Sequence, residues 1–214
     1  MDQSLDLSEE VKSFYLVRHG DLKGSNKGRV PDINDKGLSP DGVLEAELIS
    51  SYFHDIKISA IFSSPNNSTV ETTDIIAKNI GEPTFFKHSG LADKREGAWA
   101  GKTYWQLREE DSKAWEKWSK DPINFCPPNG ESVRDFVSRV GRALKDIRTN
   151  YEIGDKIVLC THAGVIRALL ILALDIPVDN FFRIDVPLSS ISRIDWSESY
   201  AVVKFFSLSV TSKA

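Results

Sequence analysis

The sequence predicts an α/β fold: a three-layer α/β/α sandwich with a mostly parallel central sheet and a small helical lid-like insertion. Three observations carry this expectation. Residues 14–17, 59–62 and 157–160 are brief runs of apolar, β-branched or aromatic residues without polar alternation, as in strands buried on both faces. Helical patterns lie between them, which is the alternation of a layered α/β domain. The stretch 99–125 breaks that rhythm, placing Trp99, Trp105, Trp115 and Trp118 among many charges.

The elements follow in order. After strand 14–17, Ser39-Pro40-Asp41 reads as N-cap, first-turn proline and first-turn acid, opening a helix to about residue 53. Strand 59–62 leads to a helix over 69–79 carrying Ile75, Ile76 and Ile80 and closed by Gly81. Residues 99–125 read as a helical subdomain set on the sheet, its tryptophans packing it. Residues 132–148 form the clearest helix: Val133, Phe136, Val137, Val140, Leu144 and Ile147 make one apolar stripe, with arginines and acids opposite. Strand 157–160 is followed by an apolar helix to about 174. Residues 190–194 and 201–206 read as two strands joined by the polar turn 195–199. With no internal repeat, low-complexity tract or linker, residues 1–214 read as one domain, the insertion spanning about 99–128.

Composition narrows the partners. The chain has 214 residues, a net charge of -4 and a pI near 5.6. That excludes a global basic field for nucleic acid or anionic membrane, so a polyanionic substrate must be met by local cations. Cys126 and Cys160 have neither disulfide-framework nor zinc-site spacing and read as reduced thiols. No apolar run approaches the roughly 20 residues that span a bilayer. The polar, acidic start MDQSLDLSEE resembles no targeting peptide. The expectation is a soluble cytoplasmic protein. No feature of the sequence specifies its oligomeric state.

Two segments carry chemistry. In Phe14-Tyr15-Leu16-Val17-Arg18-His19-Gly20-Asp21 a buried strand stops at a cation, an imidazole and a glycine. Ligands in open parallel sheets bind beyond the carboxyl ends of strands, where Gly20 would let the backbone approach a ligand. Ile157-Val158-Leu159-Cys160-Thr161-His162-Ala163-Gly164 repeats the plan and runs into a helix whose first amides, at Ala163 and Gly164, favour an anion. His54 and His88 lack such a setting.

Taken together, these segments resemble the histidine phosphatase superfamily, which includes phosphoglycerate mutases and small-molecule phosphatases. LVRHGD resembles its opening signature and GRVPDINDKGLSPDG the loop and helix that follow. IFSSPNNSTVETTDIIA, LADKREGAWAG, PPNGES and VLCTHAGVIRALL resemble later motifs, in order, from about residue 14 to about 195. The resemblance implies hydrolysis of a small phosphomonoester through a phosphohistidine on His19. Arg18, His162 and the Ala163 amide would hold the phosphoryl oxygens, and Asp93 would be the proton donor, a position where family members usually carry glutamate. Asn26, Arg29 and Lys94 are expected to contact substrate. No metal or other cofactor is implied.

The pattern breaks at one point. The family's second phosphate-binding arginine corresponds to Ser68, and no arginine or lysine lies between Lys57 and Lys78. Ser25, with Asn26 beside it, and Ala92 are smaller departures. Lys94, Arg95 or Arg29 could restore the charge; otherwise the chain is a weakened relative that binds phosphorylated ligands without turnover. A mutase is the further alternative. Family mutases carry a longer, more basic insert before the GES helix, whereas residues 102–128 here are short and include Glu109-Glu110-Asp111.

Overall fold

The computed structural model describes residues 11–24, 28–32 and 35–210. Its centre is a six-stranded sheet in which β1 (Lys12–Arg18) lies between β4 (Lys156–Thr161) and β5 (Ser190–Trp196). Beyond β4 come β2 (Ala60–Ser63) and β3 (Thr84–Lys87), and β6 (Ala201–Ser209) closes the other edge. The β1–β4, β2–β4 and β2–β3 pairings are parallel; β1–β5 and β5–β6 are antiparallel.

The non-alternating runs are buried on both faces, as their composition predicts. Phe14, Leu16, Ile157 and Leu159 enter one core with α5 (Val133–Arg148) and α6 (Ala163–Leu174). Tyr15, Val17, Val158 and Cys160 enter the other, with Ile49 and Phe53 at α1 (Pro40–Tyr52) and Ile76 on α2 (Asn67–Asn79). The chain thus moves from β1 outward to β3 across one face and returns to β4 across the other. The β1–β4 seam is where its direction reverses, and the crevice at such a reversal is where α/β sheets hold ligands.

The predicted Ser39 cap forms, and Ser132 caps α5 as well. Ser39 accepts from Gly42 N at 3.0 Å, and Ser132 accepts from Asp135 N at 3.0 Å. Two readings change. The second helix starts at Asn67 rather than residue 69. Gly20 serves packing rather than ligand approach: a side chain there would meet Gly42 O of α1 at 2.5 Å.

The tryptophan-rich stretch folds as α3 (Tyr104–Glu110) and α4 (Ser112–Lys120). Trp99, Leu107 and Val30 form its core, with Trp115, Trp118 and Phe125 against them. Trp105 is the exception to the packing expectation, at 71% exposed. No helix among the described residues is long and apolar enough to cross a membrane.

Candidate active site

Strand register builds the site. Val17 pairs with Cys160 and Arg18 with Thr161, so the next residues, His19 and His162, emerge side by side at the carboxyl end of the seam. The His19 amide extends the ladder by donating to Thr161 O at 3.1 Å. The two rings stand edge to face with centroids 5.1 Å apart, and both residues are buried.

Hydrogen bonding fixes the His19 tautomer. Its Nδ1 lies 2.8 Å from Gly20 O. A carbonyl oxygen only accepts, so Nδ1 carries the proton and Nε2 keeps its lone pair. Burial, then the neighbouring His162, lowers the His19 pKa to about 3, so the ring is neutral at ordinary pH. Burial likewise lowers His162 to about 4. His162 Nε2 is engaged by Ser64 Oγ at 2.9 Å and Asn66 Oδ1 at 3.1 Å, two residues at the β2–α2 junction that the sequence did not single out. His162 is also the N-cap of α6, so the helix's free amides begin at Ala163 beside it.

Asp93 reaches the same place from the loop before α3. Its carboxylate would stand 2.8 Å from a side-chain carbon built on Gly164, so glycine at the first turn of α6 makes its seat. Burial raises its pKa, against the pull of the Lys94 amide hydrogen bond, His19 and Arg18. A carboxyl held toward its protonated form beside a neutral imidazole is a donor–nucleophile pair. Arg18 completes the group, with one guanidinium nitrogen on Val186 O and its buried Nε without a hydrogen-bond partner among the described residues.

Two hollows diverge from this centre, and Arg18, His19, Asp93 and His162 line both. One, of about 580 Å³, lies against residues 21–24 and 28–32 and is lined by Arg29, Asp35 and Ser68. The other, of about 270 Å³, has aromatic walls of Trp99, Tyr104, Trp118 and Phe182, with Lys94, Ala163 and Arg167. The predicted residues therefore converge, except that Asn26 lies outside the described residues, as does Ser25. Arg167 was missed; on sequence it is only an interruption in an apolar helix. Arg95 turns elsewhere, into a groove of about 450 Å³ with His88, Arg139 and Arg142.

Ser68 is fully buried, and both of its donors are committed to Asp35. Its amide and hydroxyl donate to the two oxygens of Asp35, at 2.8 and 2.9 Å. Of the cations proposed to substitute for the absent arginine, Arg29 donates to Gly101 O at 2.9 Å, and Lys94 is paired with Glu96 at 2.7 Å.

A model of the histidine phosphatase superfamily (branch 1) matches residues 14–208. The chain belongs to this superfamily. Among relatives of this member, "Putative phosphoserine phosphatase 2" of Hydrogenobacter thermophilus is 26% identical over 86% of this chain and 89% of its own. "Probable phosphoglycerate mutase GpmB" of Escherichia coli O1:K1 is 29% identical over 86% and 85%. The alpha-ribazole phosphatase from Shigella flexneri shares the fold, with a TM-score of 0.84 at 18% identity over 94% of this chain and 99% of its own.

Proposed function

We propose that the protein is a phosphatase that hydrolyses a small phosphomonoester through a phosphohistidine on His19. The observation that carries this is the protonation pattern: Nδ1–H tied to Gly20 O and a ring kept neutral by burial, so that Nε2 is an available nucleophile. In the first step Nε2 attacks phosphorus, the ester P–O bond breaks, and the Asp93 carboxyl gives its proton to the leaving alkoxide. In the second, the Asp93 carboxylate takes a proton from water, whose oxygen attacks phosphorus and releases His19. Charge on the equatorial oxygens is met by Arg18 and the Ala163 amide, with His162 beside them, neutral while Ser64 and Asn66 hold its Nε2.

Hydrolysis is favoured over mutase chemistry by the short insertion, and the names of relatives divide between the two. Incubation with 3-phosphoglycerate separates them: free phosphate supports the hydrolase, and 2-phosphoglycerate supports the mutase. A specific observation favours the other reading, a weakened phosphate binder. Asp35 places a carboxylate at Ser68, where an arginine is absent. Retention of His19, His162 and Asp93 in one geometry supports turnover. The partner in this reading is a small phosphorylated compound rather than nucleic acid or membrane. A cytoplasmic setting is supported by the two unpaired thiols.

A panel of phosphomonoesters is run on wild type and His19→Ala, with acid-labile phosphoenzyme trapped by rapid quench. Wild type should turn over at least one ester and label on His19, and the variant should do neither. Phosphate or vanadate binding without any phosphohistidine would replace this reading with the non-catalytic one.

A further inference from the structure

We infer that Arg139 is a positioning residue for the loop that carries Asp93, with Glu131 as its brace; this rests on the phosphohistidine reading above. The loop needs such a device. Residues 93–96 belong to no helix or strand, and the backbone bond from Glu131 N to Arg95 O, 2.9 Å long, ties the loop past Asp93 rather than at it. The shorter aspartate also leaves little slack between backbone placement and carboxyl placement.

Arg139 lies on α5, on the side that amphipathic patterning assigns to solvent, yet its side chain is only 16% exposed. One guanidinium nitrogen donates to Gly90 O at 3.0 Å and Ala92 O at 3.1 Å, and the other to Asp93 O at 3.1 Å. Leu91 O accepts from Thr161 Oγ1 at 2.8 Å. Four successive carbonyls, 90 through 93, are therefore each held by a side chain, three of them by Arg139.

The guanidinium is itself fixed. It meets Glu131 at 2.7 Å from the terminal nitrogen and 3.2 Å from Nε. Glu131 is 4% exposed, and its Oε1 also accepts the Arg95 amide at 3.0 Å, gripping the loop just past Asp93. A planar fork with five donors serves three carbonyls and a carboxylate at once, which an ammonium cannot reproduce. Neither residue lines the two hollows at His19, so the pair acts on the chemistry through Asp93.

Leaving-group dependence separates positioning from general support. p-Nitrophenolate departs without a proton, whereas the alkoxide of glycerol 2-phosphate requires one. For Arg139→Gln we expect kcat/KM, which reports formation of the phosphohistidine and not its later hydrolysis, to fall at least ~30-fold on glycerol 2-phosphate and less than ~3-fold on p-nitrophenyl phosphate. Arg139→Lys should behave like Arg139→Gln. Glu131→Gln, gentler on folding, should give the same split at smaller size. Equal loss on both esters, or no loss, overturns the inference.

Amide hydrogen exchange gives a readout independent of turnover. Asp93 and Lys94 should exchange at least ~10-fold faster in Arg139→Gln while the buried turns of α6 do not change; unchanged loop exchange also overturns the inference. His19→Ala run in parallel keeps the two claims apart. If it hydrolyses both esters like wild type, the phosphohistidine reading fails, and the exchange data alone then decide whether Arg139 sets the loop.

Discussion

At the N-terminus of α2, Ser68 spends its amide and its hydroxyl on Asp35, so the pocket wall carries a carboxylate where the superfamily resemblance places a cation. Substituting Ser68→Arg should raise kcat/KM for a phosphomonoester by roughly ten- to a hundredfold, the scale of one missing transition-state donor. Asp35 would brace the new guanidinium, whose remaining donors face the hollow that Ser68 lines. Ser68→Met, similar in reach but uncharged, should give no gain. An unchanged arginine variant would mean that another cation, such as Arg29, Lys94 or Arg167, already serves the phosphoryl group, or that the pocket has been rebuilt. At this scale the sequence was legible where contacts follow strand register. His19 and His162 could be paired because each follows a buried strand, and adjacent parallel strands bring equivalent ends together. The Ser68–Asp35 contact spans 33 positions through a loop with no periodicity to reveal it. Arg139 was concealed differently, because a charged residue on the polar side of an amphipathic helix reads as solvated.

The elements were legible where the sequence carries a pattern. β1, β2 and β4 have buried apolar centres and β6 alternates, and all four were found, whereas β3 was missed. Its Thr84-Phe85-Phe86-Lys87 is four residues long, mostly exposed, and pairs with β2 alone. Short edge strands carry little of the patterning that burial imposes. The acid loop is an element of a different kind, docked by close backbone approach to the turn before α5. Gly97, within a 3-10 turn over Gly97–Trp99, has φ of +53°, and a side-chain carbon there would stand 2.1 Å from Pro128 O. The left-handed conformation alone costs a larger residue about 1–2 kcal/mol, and the clash forces the two turns apart. Gly97→Ala should lower the melting temperature by roughly 4–8 °C, at about 2–4 °C per kcal/mol for a domain of this size. It should also lower activity more on alkyl than on aryl phosphates, because Asp93 sits on the displaced loop. Calorimetry with the two-ester assay checks both, and an unchanged melting temperature would refute the docking argument.

For the molecule as a whole, building the site into the sheet's central seam ties folding to pH. His19 and His162 have folded-state pKa values lowered to about 3 and about 4, whereas the unfolded chain protonates near 6.5. Below about 6.5 the unfolded state binds protons that the native state refuses, so stability falls with pH. Each histidine adds a slope of about 1.4 kcal/mol per pH unit until its own folded value is reached. Asp93 acts in the opposite sense. Its folded pKa is raised, so its contribution is complete below the unfolded carboxylate value and is lost as pH rises through the folded one. The two effects overlap in the acid range, and a single wild-type curve therefore shows less than two histidine slopes. A difference curve isolates one of them. His162→Asn removes a buried imidazole, so between pH 6.5 and 4 the variant should lose roughly 2–3 kcal/mol less stability than wild type. Urea midpoints across that range measure it. Its absolute stability at neutral pH is a separate matter, set by the Ser64 and Asn66 contacts the substitution disturbs. Parallel curves would mean that His162 titrates alike in both states. The low pKa that marks this end of the seam as neutral and ready for phosphoryl chemistry would then have to be abandoned.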